Sequence, residues 1–162
     1  MSTSASEATA TQTIHASAVL IGWHAAIIRG PAGAGKSRLA LTLIQAAQIG
    51  VLPFARLVGD DRISVEARGG RLLVRPAKTL AGLIEVRGLG IRRIAYEAVA
   101  IAGLVVDLAD EAERLPAPAA QETEIMGVRL PRLGVGRGVE PLPMILAMTQ
   151  TSAQTVAADA SG

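Results

Sequence analysis

The chain contains no cysteine, which excludes disulfide frameworks, zinc–thiolate sites and cysteine nucleophiles. His15 and His24 are the only histidines, so an imidazole-based metal site is also disfavoured. Aromatic residues are scarce, with one Trp, one Tyr and one Phe, although 50% of the 162 residues are hydrophobic. The core must therefore be aliphatic, which favours Val, Ile and Leu strands covered by Ala- and Leu-rich helices.

Long hydrophobic runs and blocks of like charge are also missing. The longest apolar stretch, ASAVLIGWHAAII, is too short and interrupted to cross a bilayer, and the N-terminus lacks the basic region of a signal peptide. The formal net charge is only +2, and the basic residues are scattered, which argues against binding along a nucleic-acid backbone. We expect a soluble cytoplasmic protein with phosphate or protein partners, and no membrane or nucleic-acid partner.

The length indicates a single domain. Both ends are rich in Ser, Thr and Ala without apolar periodicity, so residues 1–13 and 151–162 are predicted to be disordered tails around a domain at 14–150. Glycine turns predict a strand pair joined near Gly22 and a hairpin around ARGG, and a last helix is expected from about Glu140. Composition and periodicity together support an α/β fold.

The clearest motif is GPAGAGKS, residues 30–37, which fits the phosphate-binding pattern G-x-x-x-x-G-K-[ST]. It lies between a predicted strand and a predicted amphipathic helix, the context that its mechanism requires. The glycines let backbone N–H groups converge on a phosphate, Lys36 adds positive charge, and Ser37 offers a hydroxyl to Mg²⁺. The residues expected to bind the nucleotide are Gly30, Pro31, Ala32, Gly33, Ala34, Gly35, Lys36, Ser37 and Arg38.

A second motif, LVGDDR at residues 57–62, ends a predicted strand with two aspartates. A carboxylate beside a phosphate-binding loop often orients Mg²⁺ or its water, and a neighbouring carboxylate can accept a proton from the phosphoryl acceptor. In a regular strand Asp60 and Asp61 would point in opposite directions and serve different purposes. A solvent-exposed turn without a catalytic role is an equally good interpretation of this stretch.

A third motif, IEVRGLGI at residues 84–91, places Glu85 in an apolar strand broken by Gly88 and Gly90. Taken alone, this pattern favours a glutamate on the solvent face of an edge strand.

The Gly- and Arg-rich stretch RLPRLGVGRGVEP offers Arg132 and Arg137 as candidates for a phosphate contact. More often, a stretch of this kind is only a solvated connection between elements.

These three motifs, in this order and at these separations, resemble the catalytic domain of the HPr(Ser) kinase/phosphorylase family, which phosphorylates a serine of the phosphocarrier protein HPr. The stretch E-x-RGLGI is that family's signature. The resemblance covers residues 14–148 and finds no counterpart of the N-terminal domain of longer members, so it indicates the short form. It implies a P-loop-containing mixed sheet flanked by helices, as in phosphoenolpyruvate-carboxykinase-like proteins.

The resemblance also implies roles for individual residues. ATP and Mg²⁺ would bind at the loop, and Asp60 would be the general base that takes the proton of the acceptor serine. The implied catalytic residues are Asp60, Lys36 and His15. The implied metal environment consists of Ser37, Asp61 and Glu85. The implied partners are HPr and, because the family forms hexamers, further copies of the chain.

Three stretches differ from the family pattern. The flexible loop after RGLGI is shortened, so kinase activity is more strongly implied than phosphorolysis. Arg38 stands where the family usually has an acidic residue. The stretch LGVGRGVEP corresponds to a segment that makes subunit contacts in the family, and Arg137 is its only residue that matches the family pattern. Two other functions stay open: a P-loop kinase of small metabolites, which leaves IEVRGLGI unexplained, and a catalytically silent nucleotide-binding regulator.

Overall fold

The computed structural model describes residues 10–109, 111 and 116–150. Within them lie a nine-stranded mixed sheet, a separate two-stranded hairpin and two α-helices. In chain order the elements are β1 (Thr11–Ile14), β2 (Ala16–Ile21), β3 (His24–Arg29), α1 (Lys36–Gln48), β4 (Ala55–Gly59), β5 (Ile63–Arg68), β6 (Arg71–Pro76), β7 (Leu83–Val86), β8 (Gly90–Arg93), β9 (Ala100–Leu108), β10 (Glu122–Ile125), β11 (Val128–Val135) and α2 (Pro141–Gln150).

The main sheet has the strand order β1-β5-β6-β9-β3-β2-β4. Strand β9 pairs in parallel with β3 on one side and with β11 on the other, whereas the remaining pairs of the sheet are antiparallel. Strands β7 and β8 form a separate two-stranded sheet with each other. This mixed sheet with its helices confirms the predicted α/β fold. No helix of the described residues is long and apolar enough to span a membrane.

Aliphatic side chains fill both sides of the sheet. Along β2, Ala16 and Ala18 enter the core enclosed by the curled sheet, whereas Val19 packs with Leu39 and Leu43 of α1. This alternation follows from the two-residue period of a strand. Each fully buried Leu or Val contributes about 1.5–3 kcal/mol through burial. Helix α1, and with it the loop that precedes it, is thereby fixed against β2, β3 and β4.

The structure confirms the predicted strand, glycine loop and helix around the first motif, and both predicted strand pairs. The third motif was predicted as one broken strand and is instead the β7–β8 hairpin. Its turn is closed by the Leu89 N–H, which donates to the Val86 carbonyl at 2.9 Å. Gly88 and Gly90 have φ of 85°, a conformation that lets a glycine-rich stretch reverse rather than merely interrupt a strand.

Strand β1 overlaps the predicted N-terminal tail by three residues. Its side chains from Thr11 to Thr13 are exposed, so it lacks an apolar signature, but its backbone pairs with β5. Residues 1–9 and 151–162 of the predicted tails lie outside the described residues. Strand β10 was also not predicted. It pairs with β11 across a turn in which Met126 and Gly127 have positive φ.

An ion-pair cluster joins three strands immediately before the glycine loop. Asp107 of β9 accepts hydrogen bonds from Arg29 Nε and Nη2 at 2.7 and 2.8 Å, and from Arg132 Nε of β11. Burial alone would raise the pKa of Asp107, but the hydrogen bonds from both arginines outweigh it and hold the pKa below its usual range. Because Arg29 is the last residue of β3, this cluster fixes the strand from which the loop begins.

Replacing Asp107 by Asn should lower the free energy of unfolding by about 2 kcal/mol at neutral pH, because two partly buried arginines lose their charged acceptor. The stabilisation is fully present above the ordinary pKa of an aspartate and is lost as the pH falls through the lower pKa of the folded state. Urea unfolding at a series of pH values measures both effects. The difference between wild type and variant should shrink at acidic pH.

The matched control is Glu97→Gln, which removes the more exposed ion pair between Glu97 and Arg56. It should cost about 1 kcal/mol or less. A difference between wild type and Asp107→Asn that stays constant from neutral to acidic pH would contradict the assigned role of the carboxylate.

Candidate active site

The loop between β3 and α1 has the backbone of an anion-binding site. Gly33 and Gly35 have φ of 79° and 99°, conformations that residues with a Cβ adopt at a cost. Gly35 is the N-cap of α1, no side chain caps this end, and the first turn contains no acidic residue. The N–H groups of the first turn and the positive end of the helix dipole are therefore available to a negatively charged ligand.

Gly30 and Lys36 define the shape of the loop. A Cβ added at Gly30 would lie 2.9 Å from the carbonyl oxygen of Leu108, so the loop begins in close contact with the end of β9. The Lys36 ammonium group donates hydrogen bonds to the carbonyls of Gly30 at 2.8 Å and Pro31 at 3.1 Å. These contacts hold its positive charge against the loop rather than free in solvent.

A cavity of about 340 Å³ opens beside the loop. One wall is the loop and the first turns of α1, and the other is the segment 135–141, which leads into α2. Arg38, which the sequence placed among the nucleotide-binding residues, and Arg137, a candidate phosphate ligand, both line this cavity. Its volume lies within the range of small-molecule sites, and its two arginines outnumber its one carboxylate, that of Glu140.

Asp60 follows β4 and is almost completely buried, with 4% of its surface exposed. Its Oδ1 accepts hydrogen bonds from the hydroxyls of Ser17 at 2.6 Å and Ser37 at 2.7 Å. Its Oδ2 lies 2.9 Å from the same Ser37 hydroxyl and accepts the backbone N–H of Glu85 at 3.1 Å. The carboxylate thus connects the phosphate-binding loop with the second and third motifs.

Asp61, in contrast, is exposed, and the chain turns sharply at this residue. Its φ is 67°, and the N–H of Arg62 donates to the carbonyl of Asp60 at 2.8 Å, the hydrogen bond of a three-residue turn. The Asp61 side chain is exposed and bonds to no side chain or backbone group in the described part of the chain. A register shift between β2 and β4 just before the turn also helps to aim the two carboxylates differently.

The β7–β8 hairpin leaves the main sheet beside Asp60. Ile91 lies directly opposite Glu85 in its register, so both side chains are on the same face. Leu89 and Ile91 are each 64% exposed. Arg93 lies on the same face and is exposed, as are Arg87 at the turn and Arg92 on the opposite face. This face, which we call the hairpin surface, therefore combines apolar side chains with positive charge.

Among the described residues, the structure shows no side-chain hydrogen bond between the members of the predicted metal set, Ser37, Asp61 and Glu85. Ser37 meets Asp60, but the side chains of Asp61 and Glu85 are exposed, and residues 10–109, 111 and 116–150 contain no cluster of three His, Cys, Asp or Glu side chains that could hold a metal ion. His15 is also exposed, and no hydrogen bond or ion pair among the described residues joins it to Asp60.

Sequence reasoning missed Ser17, which is completely buried and bonds to Asp60. A signal was present, since Ser17 is a polar residue inside the apolar run ASAVLI, and a buried hydroxyl requires a partner. The sequence alone did not identify that partner.

Comparison with known proteins places these features in a family. The family model of the HPr Serine kinase C-terminal domain matches residues 6–148. HPr kinase/phosphorylase of Streptococcus thermophilus is 33% identical over an alignment of 144 residues that covers 79% of this chain and 44% of that protein. The protein of the same name from Clostridium beijerinckii is 42% identical over 65 residues, which are 40% of this chain and 19% of that protein. The chain thus spans less than half the length of these curated relatives.

A solved structure, that of the Hpr(Ser) kinase/phosphatase from Coxiella burnetii, has the same fold. It superposes with a TM-score of 0.69 at 25% sequence identity and covers 86% of this chain and 94% of the other. The fold and the resemblance inferred from the three motifs are both confirmed.

Proposed function

The chain belongs to the HPr Serine kinase C-terminal domain family, and on that premise we propose that it transfers a phosphoryl group from ATP to a serine of an HPr-like phosphocarrier protein. The observation that carries the proposal is the hydrogen bond from the Ser37 hydroxyl to the Asp60 carboxylate, which unites the phosphate-binding loop with the acidic motif. The hairpin that contains E-x-RGLGI begins at the same carboxylate. Three motifs far apart in sequence therefore form one site.

The donor groups fit a magnesium nucleotide. Mg²⁺ in nucleotide sites usually keeps several waters and takes few ligands from the protein, the others coming from the phosphates. The Ser37 hydroxyl donates a hydrogen bond to Asp60, so the lone pairs of its oxygen are available to such an ion. The bound ion would neutralise charge on the phosphates, and Lys36 and the N-terminus of α1 would stabilise the remainder.

The contacts of the two aspartates support a division of roles that differs from the one implied by the resemblance. Asp60 is buried and already accepts hydrogen bonds on both oxygens, whereas a general base must come within about 3 Å of the acceptor hydroxyl. Asp61 is exposed next to it. We therefore assign to Asp60 the orientation of Ser37 and the metal, and to Asp61 the removal of the proton from the acceptor serine.

The two aspartates can be separated by comparing Asp60→Asn with Asp61→Asn. Asp61→Asn should bind the magnesium nucleotide like the wild type and lower the rate of transfer by about 100-fold or more, because the base is lost. Asp60→Asn should raise the Mg²⁺ concentration needed for nucleotide binding. Fluorescence titration of an ATP analogue with Mg²⁺ and a transfer assay measure the two effects. The reverse pattern would return the base to Asp60.

The acceptor would dock on the hairpin surface. Ile91 is the cross-strand partner of Glu85, whose N–H contacts Asp60, so a folded protein that brings a serine to the aspartates must meet this face. The exposed leucine and isoleucine provide apolar contacts, and the surrounding arginines favour a partner with carboxylates around its serine. We propose that the hairpin surface binds an HPr-like protein with that character.

Replacing Ile91 or Leu89 by Ser should raise the KM for HPr about tenfold, since buried apolar anchors dominate interfaces of this kind. The kcat and the affinity for the nucleotide should change little, because neither side chain lines the cavity beside the loop. Steady-state kinetics with varied HPr measure this split. The matched control is Ile49→Ser, an equally apolar residue that is 79% exposed beyond the other end of α1. A KM that rises equally in the control would contradict docking on the hairpin.

The proposed function itself is tested by incubating the chain with Mg·ATP and HPr from the same organism and locating phosphate by mass spectrometry. Phosphoserine on HPr is expected, and it should be absent with Lys36→Ala, which removes the positive charge at the loop. Subsequent addition of inorganic phosphate tests phosphorolysis through loss of the phosphoserine.

Two results would favour the alternative functions. Transfer to a small metabolite without HPr would indicate a metabolite kinase, and nucleotide binding without any transfer would indicate a silent regulator.

A further inference from the structure

Ser17 is a buried hydroxyl to which the proposed reaction assigns no task. Only three polar or charged side chains of the described residues are buried: Ser17, Asp60 and Glu66. Glu66 pairs with arginines of its own hairpin, whereas Ser17 donates to Asp60 at 2.6 Å. A fully buried serine thus bonds to the carboxylate that organises the site.

The sheet register brings these two residues together. Ala18 is paired with Gly59 across the antiparallel β2–β4 ladder, and extending that register by one residue places Ser17 opposite Asp60. Ser17 also lies on the face of β2 that α1 covers, since it alternates in the same phase as Val19. The Ser17 hydroxyl of β2 and the Ser37 hydroxyl of α1 therefore both reach Asp60 on the face of the sheet that α1 covers.

Three donors on two oxygens leave the carboxylate little freedom to rotate. The Ser37 hydroxyl has a single proton, and while Asp60 accepts it, the lone pairs of Ser37 Oγ can face a metal at the loop. If the carboxylate turned, Ser37 could donate elsewhere and present a different direction to the metal. The orientation of Ser37 thus depends on what holds Asp60.

We propose that Ser17 is a positioning residue, which fixes Asp60 and through it sets the affinity of the loop for magnesium in the nucleotide complex. The inference rests on the proposed function for the identity of the nucleotide and the ion. Ser17 itself does not touch either ligand. Groups that orient metal-binding residues typically change metal affinity 10- to 100-fold when removed.

The test uses the full chain and the fluorescent nucleotide N-methylanthraniloyl-ATP, titrated with Mg²⁺. Ser17→Ala should require about tenfold more Mg²⁺ for half-maximal binding, with unchanged binding in EDTA. Ser17→Thr keeps the hydroxyl on a β-branched side chain suited to a strand, and it should restore the wild-type requirement. Ser64→Ala, the same change at a half-buried serine of β5, is the matched control and should leave the requirement unchanged.

If Ser17 has a purely structural role, Ser17→Ala should lower the melting temperature and leave the Mg²⁺ requirement at its wild-type value. This result would overturn the proposal. If Ser17→Ala does not fold, the same change in the Asp60→Asn variant decides, because it should then cause no further change in Mg²⁺ requirement. An additive change would overturn the proposal. The Mg²⁺ titration contains no HPr and measures only nucleotide binding. Failure to phosphorylate HPr in the separate transfer assay would therefore disprove the proposed kinase function, while the titration would still test the role of Ser17.

Discussion

The arrangement of the site depends on the burial of one carboxylate. A charge among aliphatic strands is costly unless hydrogen bonds replace its water, and Asp60 is only 4% exposed. Its donors come from Ser17 of β2, Ser37 of α1 and the backbone of Glu85 in β7. These elements are separated by up to 43 residues from Asp60 in sequence. Satisfying a single charge therefore draws three elements to one point at the edge of the sheet.

Local backbone geometry then gives the neighbouring aspartate a different environment. Gly59 is closely packed, since a Cβ there would lie 2.9 Å from Cγ2 of Ile63, and Asp61 has the positive φ that aspartate tolerates better than most residues. Unusual conformations of this kind persist where the surroundings enforce them. Here the buried Asp60 on one side and the buried Ile63 on the other hold the turn. Two consecutive residues therefore carry one buried and one exposed carboxylate.

The sequence predicted those features whose local residues determine them. The strand, glycine loop and helix around Lys36 are encoded by an apolar run, by glycines and by helical periodicity, all within one short segment. The bond between Ser17 and Asp60 could not be predicted, because it depends on the pairing of β2 with β4 and on a register shift within it. Strand β1 was missed for a related reason, since its pairing with β5 uses backbone groups and no apolar pattern.

The surfaces that we propose for nucleotide and acceptor are built from different parts of the fold. The nucleotide side consists of the loop, α1 and the segment 135–141, which the arginine cluster around Asp107 anchors to the centre of the sheet. The acceptor side is a hairpin outside the main sheet, attached through the buried Ile84 and one backbone hydrogen bond to Asp60. We therefore expect substitutions at the exposed positions of the hairpin to alter which protein docks with little effect on the loop, because the hairpin meets α1 through its buried side chains and meets Asp60 through a backbone hydrogen bond.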